Sequence, residues 1–138
     1  MWQCPECKRE FKNRNQPHTC GNFTIEKTFE NYPPEIFTLF NFIHEKIKLF
    51  DGMKVSPVKN GVMYSVYSTF LAIKPHSKFL AVEFACGTKH DEFPVEKCVP
   101  ISKSEFAHIT RIEQLSEVDH QLITWIKEAY LFNCSKRQ

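Results

Sequence analysis

Residues 53–67 read MKVSPVKNGVMYSVY, and this stretch contains the clearest fold signal of the chain. Two runs with alternating apolar residues, 53–59 and 62–67, flank Asn60-Gly61, a dipeptide suited to a type I′ hairpin turn. Pro57 has no amide proton, so the first strand is predicted to lie at an edge of the sheet. The predicted cross-strand pairs are Lys59 with Val62, Pro57 with Tyr64 and Val55 with Val66. This register makes one face of the hairpin almost wholly apolar.

Further strands are predicted after this hairpin. Apolar residues that recur within short runs indicate strands at 70–74, 79–85 and 106–112. Residues 86–104 contain Pro94 and Pro100 and are predicted to be irregular. The sheet is therefore predicted to be an antiparallel meander of four to five strands.

Helical periodicity occurs on both sides of these strands. Between Glu35 and Phe50 the apolar residues recur at spacings of three and four, which predicts a helix closed by Asp51-Gly52. A second helix is predicted to begin at Ser116 and to end near Phe132. The fold class is therefore α+β, with two helices on one face of the sheet. The predicted organisation is a zinc knuckle at 1–22, a linker at 23–34, the α+β domain at 35–134 and a basic tail at 135–138.

The first twenty residues carry four potential metal ligands in two pairs. Cys4 and Cys7 are separated by two residues, and His18 and Cys20 follow ten residues later. Four nitrogen and sulfur ligands are enough for a closed tetrahedral site, with Zn–S bonds of about 2.3 Å. We therefore expect one structural Zn²⁺, which would supply most of the folding free energy of so short a module. The alternatives are ordinary buried thiols with a surface histidine, or an open site completed by His44 or His90.

Basic residues surround these ligands in sequence. They are Lys8, Arg9, Lys12 and Arg14. Their charge can balance three thiolates bound to one zinc ion, and it also fits a surface that contacts phosphates. Glu6 and Glu10 offset half of this charge, so a protein contact is an equal alternative. Trp2 and Phe11 are the apolar residues expected to cover the ion.

A second candidate site lies in the α+β domain. If Lys59 points inward, it would form a small polar pocket with Tyr64, His108 and Arg111 that could hold an anion. The more ordinary interpretation is that His108 belongs to the core and that Lys59 extends to solvent along its methylene groups.

Three cysteines remain after the zinc set: Cys86, Cys98 and Cys134. Cys86, His90 and Cys98 could form a second metal site, but their spacing is not distinctive and a fourth ligand is missing. Buried thiols are therefore the expectation for all three cysteines.

Composition limits the functional classes. The net charge of +2, from 18 Lys plus Arg against 16 Asp plus Glu, is too small to argue for nucleic acid by itself. No signal peptide or membrane span is predicted, and six cysteines in such a chain favour metal ligation or free thiols in the cytoplasm.

No Gly-rich phosphate loop, Ser-His-Asp arrangement or paired-carboxylate motif occurs in the sequence. We therefore expect a non-enzymatic zinc-binding module for protein or nucleic acid, of undetermined oligomeric state. The competing class is an enzyme or anion receptor that uses the pocket near Lys59.

The sequence also resembles a family of small, mostly bacterial proteins classed as a domain of unknown function. Its members open with Trp-x-Cys-Pro-x-Cys-x-Arg-x-Phe and continue with Asn-Gln-x-His-x-Cys, which match residues 2–11 and 15–20 here, although Lys8 replaces the usual Gly. Residues 57–59 and 70–75, the predicted strand that carries His108 and Arg111, and the run Trp125-Ile126-x-x-Ala129-Tyr130 are similar to the body of that family. At Asn60-Gly61 relatives tend to carry a hydroxyl residue and a larger side chain. The resemblance implies the same fold and zinc knuckle, and it implies no activity.

Overall fold

The computed structural model describes residues 2–3, 10–14 and 24–136. Two short strands, β1 and β2, pair near the N-terminus, and the other elements form the α+β domain. The strands are β1 (Trp2–Gln3), β2 (Glu10–Phe11), β3 (Lys54–Val58), β4 (Gly61–Ser65), β5 (Thr69–Pro75), β6 (Leu80–Cys86), β7 (Val95–Pro100) and β8 (Phe106–Ile112). The helices are α1 (Ile25–Phe29), α2 (Pro34–Ile47), a 3-10 turn (Leu115–Glu117) and α3 (His120–Ser135).

The main sheet has six strands in the order β3-β4-β5-β6-β8-β7, and all neighbouring strands are antiparallel. The α+β class is confirmed, whereas the meander of four to five strands was wrong. Strand β7 lies within the segment predicted to be irregular, and it pairs outside β8 instead of following β6. A register shift between Val95 and Lys97 breaks the alternation of β7, and most of its side chains are exposed. An edge strand of this kind has no strong apolar period in its sequence.

The predicted hairpin is confirmed, but its register was wrong. Val58 pairs with Gly61, so the two-residue turn is Lys59-Asn60, and Pro57 faces Val62. Gly61 is the first residue of β4, and a Cβ there would lie 2.7 Å from the carbonyl oxygen of Ile73 on β5, so this strand position requires glycine. The turn therefore begins one residue earlier than expected.

Helices α2 and α3 pack on one face of the sheet and form the core with it. The buried α2 residues include Ile36, Phe40, Ile43 and Ile47, and those of α3 include Leu122, Trp125, Ile126 and Ala129. They pack against the sheet residues Val62, Tyr64, Leu71, Ile73, Leu80, Val82 and Phe84. Full burial of each such large side chain contributes about 1.5–3 kcal/mol.

The helix ends differ from the predicted ones. The N-cap of α3 is Asp119, whose carboxylate accepts the Leu122 N–H at 3.0 Å, while Ser116 lies in the preceding 3-10 turn. Helix α2 ends at Ile47, before the predicted Phe50. None of the helices in the described residues is long and apolar enough to cross a membrane.

The segment predicted as a linker contains α1. Thr24 caps this helix by accepting the Lys27 N–H at 3.1 Å, and the Phe29 ring packs 4.7 Å from Phe40 on α2. Five residues are too few to show a helical period, so sequence analysis missed the helix.

Candidate functional site

The predicted zinc ligands Cys4, Cys7, His18 and Cys20 lie outside the described residues, as do Lys8 and Arg9. The zinc site therefore stays a prediction. Lys12 and Arg14 are described and are exposed to solvent.

The two described strands near these positions pair as an antiparallel ladder. Gln3 pairs with Glu10 and Trp2 pairs with Phe11, and the Trp2 and Phe11 rings lie 5.9 Å apart. Both rings are half-buried. The two aromatic side chains that were expected to cover the ion thus pack against each other.

The predicted anion pocket would need Tyr64 and His108 to meet. Both side chains point to the helix-covered face in one cross-strand row, but Leu71 and Phe84 stand between them. Three strand spacings separate Tyr64 from His108 by roughly 14 Å. The Tyr64 hydroxyl instead shares a hydrogen bond of 2.8 Å with Nδ1 of His44 on α2.

The two cations of the predicted pocket are also elsewhere. Lys59 is exposed in the β3–β4 turn. Arg111 is exposed on the opposite face of the sheet, 3.3 Å from Glu96 and 4.1 Å from the centre of the Phe79 ring. The structure therefore does not bring Lys59, Tyr64, His108 and Arg111 together.

His108 is fully buried and anchors the loop between β6 and β7. Its Nε2 accepts the backbone N–H of His90 at 3.0 Å, so Nδ1 carries the proton and faces the Phe84 carbonyl at 3.4 Å. The Phe84 ring stacks on the imidazole at 4.7 Å. Desolvation by burial lowers the pKa of His108, which agrees with a neutral ring in this position.

The same loop directs the His90 side chain toward α3. The imidazole stacks on Trp125 with 4.7 Å between ring centres, and its Nε2 lies 2.9 Å from a carboxylate oxygen of Glu128. Cys86, at the end of β6, completes a group in which the ligand atoms of Cys86, His90 and Glu128 all lie within 4.8 Å of one another. Among the described residues this is the group best suited to bind a metal ion.

The Cys86 thiol is not prepared to act as a nucleophile. It is fully buried and donates a hydrogen bond to the Thr88 carbonyl at 3.3 Å. Burial raises the pKa of Cys86 to about 11, so the group is a thiol at neutral pH. The cluster with His90 and Glu128 therefore does not resemble an activated Cys-His arrangement for covalent catalysis.

Sequence reasoning considered Cys86 and His90 but missed Glu128. The carboxylate comes from α3, 38 residues after His90, and no local motif connects the two positions. The predicted partner Cys98 instead lies on β7, opposite His108.

The sheet face that points away from α2 and α3 carries small and apolar side chains together with charged ones. One cross-strand row on this face consists of Met63, Ala72, Glu83, Ile109 and Lys97. Adjacent rows contribute Lys74, Ala81 and Arg111, and also Ala85, Ala107 and Val99. We call these residues the open sheet face. Most of them are half-buried or exposed, in contrast to the row of Tyr64 and Phe84.

Comparison with known protein families assigns the chain to one of them. The model of a domain of unknown function, DUF5655, matches residues 25–133 and thus most of the chain, so the protein belongs to this family. No curated protein and no solved structure matches the chain. The family match runs from the start of α1 into α3, of which it omits the last two residues, and it begins after the predicted zinc ligands.

Proposed function

We propose that this DUF5655 member is a non-enzymatic zinc-binding protein that binds a protein partner on its open sheet face. Cys4, Cys7, His18 and Cys20 hold one structural Zn²⁺, and the α+β domain carries the binding surface. The observation that carries the proposal is the contrast between the two sheet faces. Two helices bury one face, whereas the other presents half-exposed Met63 and Ile109 amid alanines.

The zinc part rests on the four ligand types and on the strand pair beside them. Three cysteines and one histidine complete a tetrahedral shell, which is the usual composition of a structural zinc site. Gln3 and Glu10 pair across β1 and β2, so the two ends of the segment that contains Cys4 and Cys7 lie side by side. This pairing supports a metal-stabilised module.

The chemistry of the open sheet face favours protein over nucleic acid. Lys74 lies 3.4 Å from Glu83, and Arg111 lies 3.3 Å from Glu96, so two of its cations already have carboxylate partners. The central row contains no aromatic side chain on which a base could stack. An apolar centre with charged neighbours is typical of protein interfaces.

Site-specific photocrosslinking in cells tests the binding surface. A photoreactive amino acid replaces Ile109 on the open sheet face or, as the control, Leu131, which is 54% exposed on α3. We expect a discrete protein adduct from position 109 and none of the same mass from position 131. Equal adducts at both positions, or none at 109, would contradict the proposal.

Titration with oligonucleotides tests the competing class of partner. We expect no salt-sensitive binding to single-stranded or double-stranded probes. Affinity that falls steeply with salt would indicate release of counterions from phosphates. That result would show that the partner is nucleic acid and not protein. Metal analysis of the purified chain tests the zinc part, because the double variant Cys4→Ser/Cys7→Ser should lose one zinc equivalent.

A further inference from the structure

We propose that Cys86, His90 and Glu128 form a second divalent-metal site, separate from the predicted zinc site near the N-terminus. The Cys86 thiol releases its proton to solvent when the metal–sulfur bond forms. The three side chains then supply a thiolate, an imidazole and a carboxylate, which are the protein ligand types of Zn²⁺. Their ligand atoms already lie within 4.8 Å of one another.

The distances fit a site whose ligands shift slightly when the ion binds. The His90–Glu128 contact of 2.9 Å must lengthen, while ligand atoms as far apart as 4.8 Å must move closer. Zn–S, Zn–N and Zn–O bonds of about 2.0–2.3 Å in a tetrahedron place ligand atoms roughly 3.3–3.8 Å apart. Cys86 is fixed in β6, whereas Glu128 has a long side chain that is 34% exposed. His90 lies on a loop. The movement of about 1 Å that these bond lengths require can therefore come from Glu128 and His90.

The loop from Cys86 to His90 is held against α3 by contacts that are independent of a metal. A Cβ at Gly87 would lie 3.1 Å from the Phe132 ring, so only glycine allows this close path without displacing that ring. The backbone of His90 is bonded to His108, and its ring stacks on Trp125. These two contacts fix the position of the His90 imidazole without a bound ion.

Charge and exposure agree with a bound divalent ion. One thiolate and one carboxylate neutralise a 2+ ion, which lowers the cost of placing it beside the fully buried Cys86. Three protein ligands leave a fourth position for water. That position would lie on the side of Glu128, which is the most exposed ligand of the three.

The contact of 2.9 Å between His90 and Glu128 also has a purely structural explanation, as a hydrogen bond between the loop and α3. Metal stoichiometry distinguishes the two explanations. Full-length chains are loaded with Zn²⁺, and bound zinc is counted by native mass spectrometry for wild type, His90→Gln and Glu128→Gln. Cys134→Ser is the matched control because Cys134 is a partly buried thiol of α3 outside the cluster.

We expect each cluster variant to bind one zinc ion fewer than wild type and Cys134→Ser to bind the same number. This difference does not depend on the N-terminal site, whose loss lowers all four counts equally. Glu128→Gln keeps the size of a half-buried side chain, and thermal unfolding in EDTA verifies that the variant folds. Equal zinc counts in wild type and Glu128→Gln would overturn the proposal.

Cobalt provides a direct test of the thiolate. In a chain with Cys4, Cys7 and Cys20 replaced by Ser, bound Co²⁺ should show the thiolate-to-cobalt charge-transfer band of a single sulfur. The band should disappear when Cys86→Ser is added. A band that persists in this variant, or one that is absent from the parent chain, would contradict ligation by Cys86.

Discussion

Asn133 is expected to stabilise the protein far more than its size suggests. This α3 residue is 2% exposed, and its side-chain oxygen accepts the backbone N–H groups of Tyr67 at 2.8 Å and of Ser68 at 3.1 Å. Its amide also donates to the Ser68 hydroxyl at 2.8 Å. One side chain thus connects the last helix to the turn between β4 and β5.

The expected magnitude follows from these contacts. Asn133→Ala leaves two part-buried N–H groups without their acceptor, and each unsatisfied group costs about 1–3 kcal/mol. Tyr67 and Ser68 are exposed residues, so water can reach their backbone and the cost of each stays near the lower limit. We therefore expect a loss of about 2–3 kcal/mol, a large fraction of the roughly 5–15 kcal/mol that stabilises a domain.

Asn133→Asp is the informative companion variant. It keeps the oxygens that accept the Tyr67 and Ser68 N–H groups, and the Ser68 hydroxyl can rotate to donate to the carboxylate. It should therefore lose less stability at neutral pH than Asn133→Ala. Asn41→Ala, at an exposed position of α2, is the control for removal of an amide side chain.

Urea unfolding followed by circular dichroism measures all three variants, and amide hydrogen exchange reports directly on Tyr67 and Ser68. Both amides should exchange faster in Asn133→Ala than in wild type, because their acceptor is lost. A loss of stability within about 0.5 kcal/mol, the range of ordinary surface substitutions, would refute the reasoning.

Two further predictions concern β4 and α2. Gly61→Ala should destabilise by about 1–3 kcal/mol in the same urea assay, because its Cβ would meet the Ile73 carbonyl oxygen at 2.7 Å. Gly52→Ala, at φ +70° in open space, should cost only about 1 kcal/mol, and a larger loss there than at Gly61 would contradict the contact argument. Burial lowers the pKa of His44 from 6.5, although the charge of Glu45 opposes this shift. The unfolded chain therefore takes up a proton at His44 before the folded chain, so stability should decline as pH falls below about 6.5, toward the lowered folded pKa. His44→Gln should flatten this decline in unfolding titrations, and an unchanged slope would exclude His44 as its source.

Local periodicity was sufficient to predict most helices and strands of the domain, because the repeat of apolar residues within one element is visible over a few residues. Ile36 and Ile43 recur on one stripe of α2, and Leu80, Val82 and Phe84 alternate along β6, so burial of these residues could be predicted. The hairpin shows how an error in register can remain harmless. The shifted turn changes every cross-strand pair, but the same residues of each strand still face the helices. Tyr64 is one of them.

The missed elements have weak local signals. Strand β7 exposes most of its residues, and its pairing depends on β8 instead of its own pattern. Helix α1 has five residues and is stabilised by its contacts with α2, which no single-sequence period can show.

The two predicted metal sites differ in how far apart their ligands lie along the sequence. The N-terminal ligands lie within twenty residues and form a recognisable spacing, so sequence alone can nominate them. The cluster of Cys86, His90 and Glu128 forms only when α3 packs on the sheet. Its ligands come from a strand end, a loop and a helix, and their proximity follows from tertiary structure.

The edges of the sheet indicate how a partner could approach. At β3, Pro57 provides no N–H, and the Thr28 hydroxyl of α1 donates to the Val58 carbonyl at 2.7 Å. At β7, the register shift beside Val95 and the exposed Lys97 interrupt a regular edge. Such features oppose the addition of a foreign strand. Binding should therefore use the open sheet face, and a charge placed at Ile109 should weaken the complex more than a proline placed in β7.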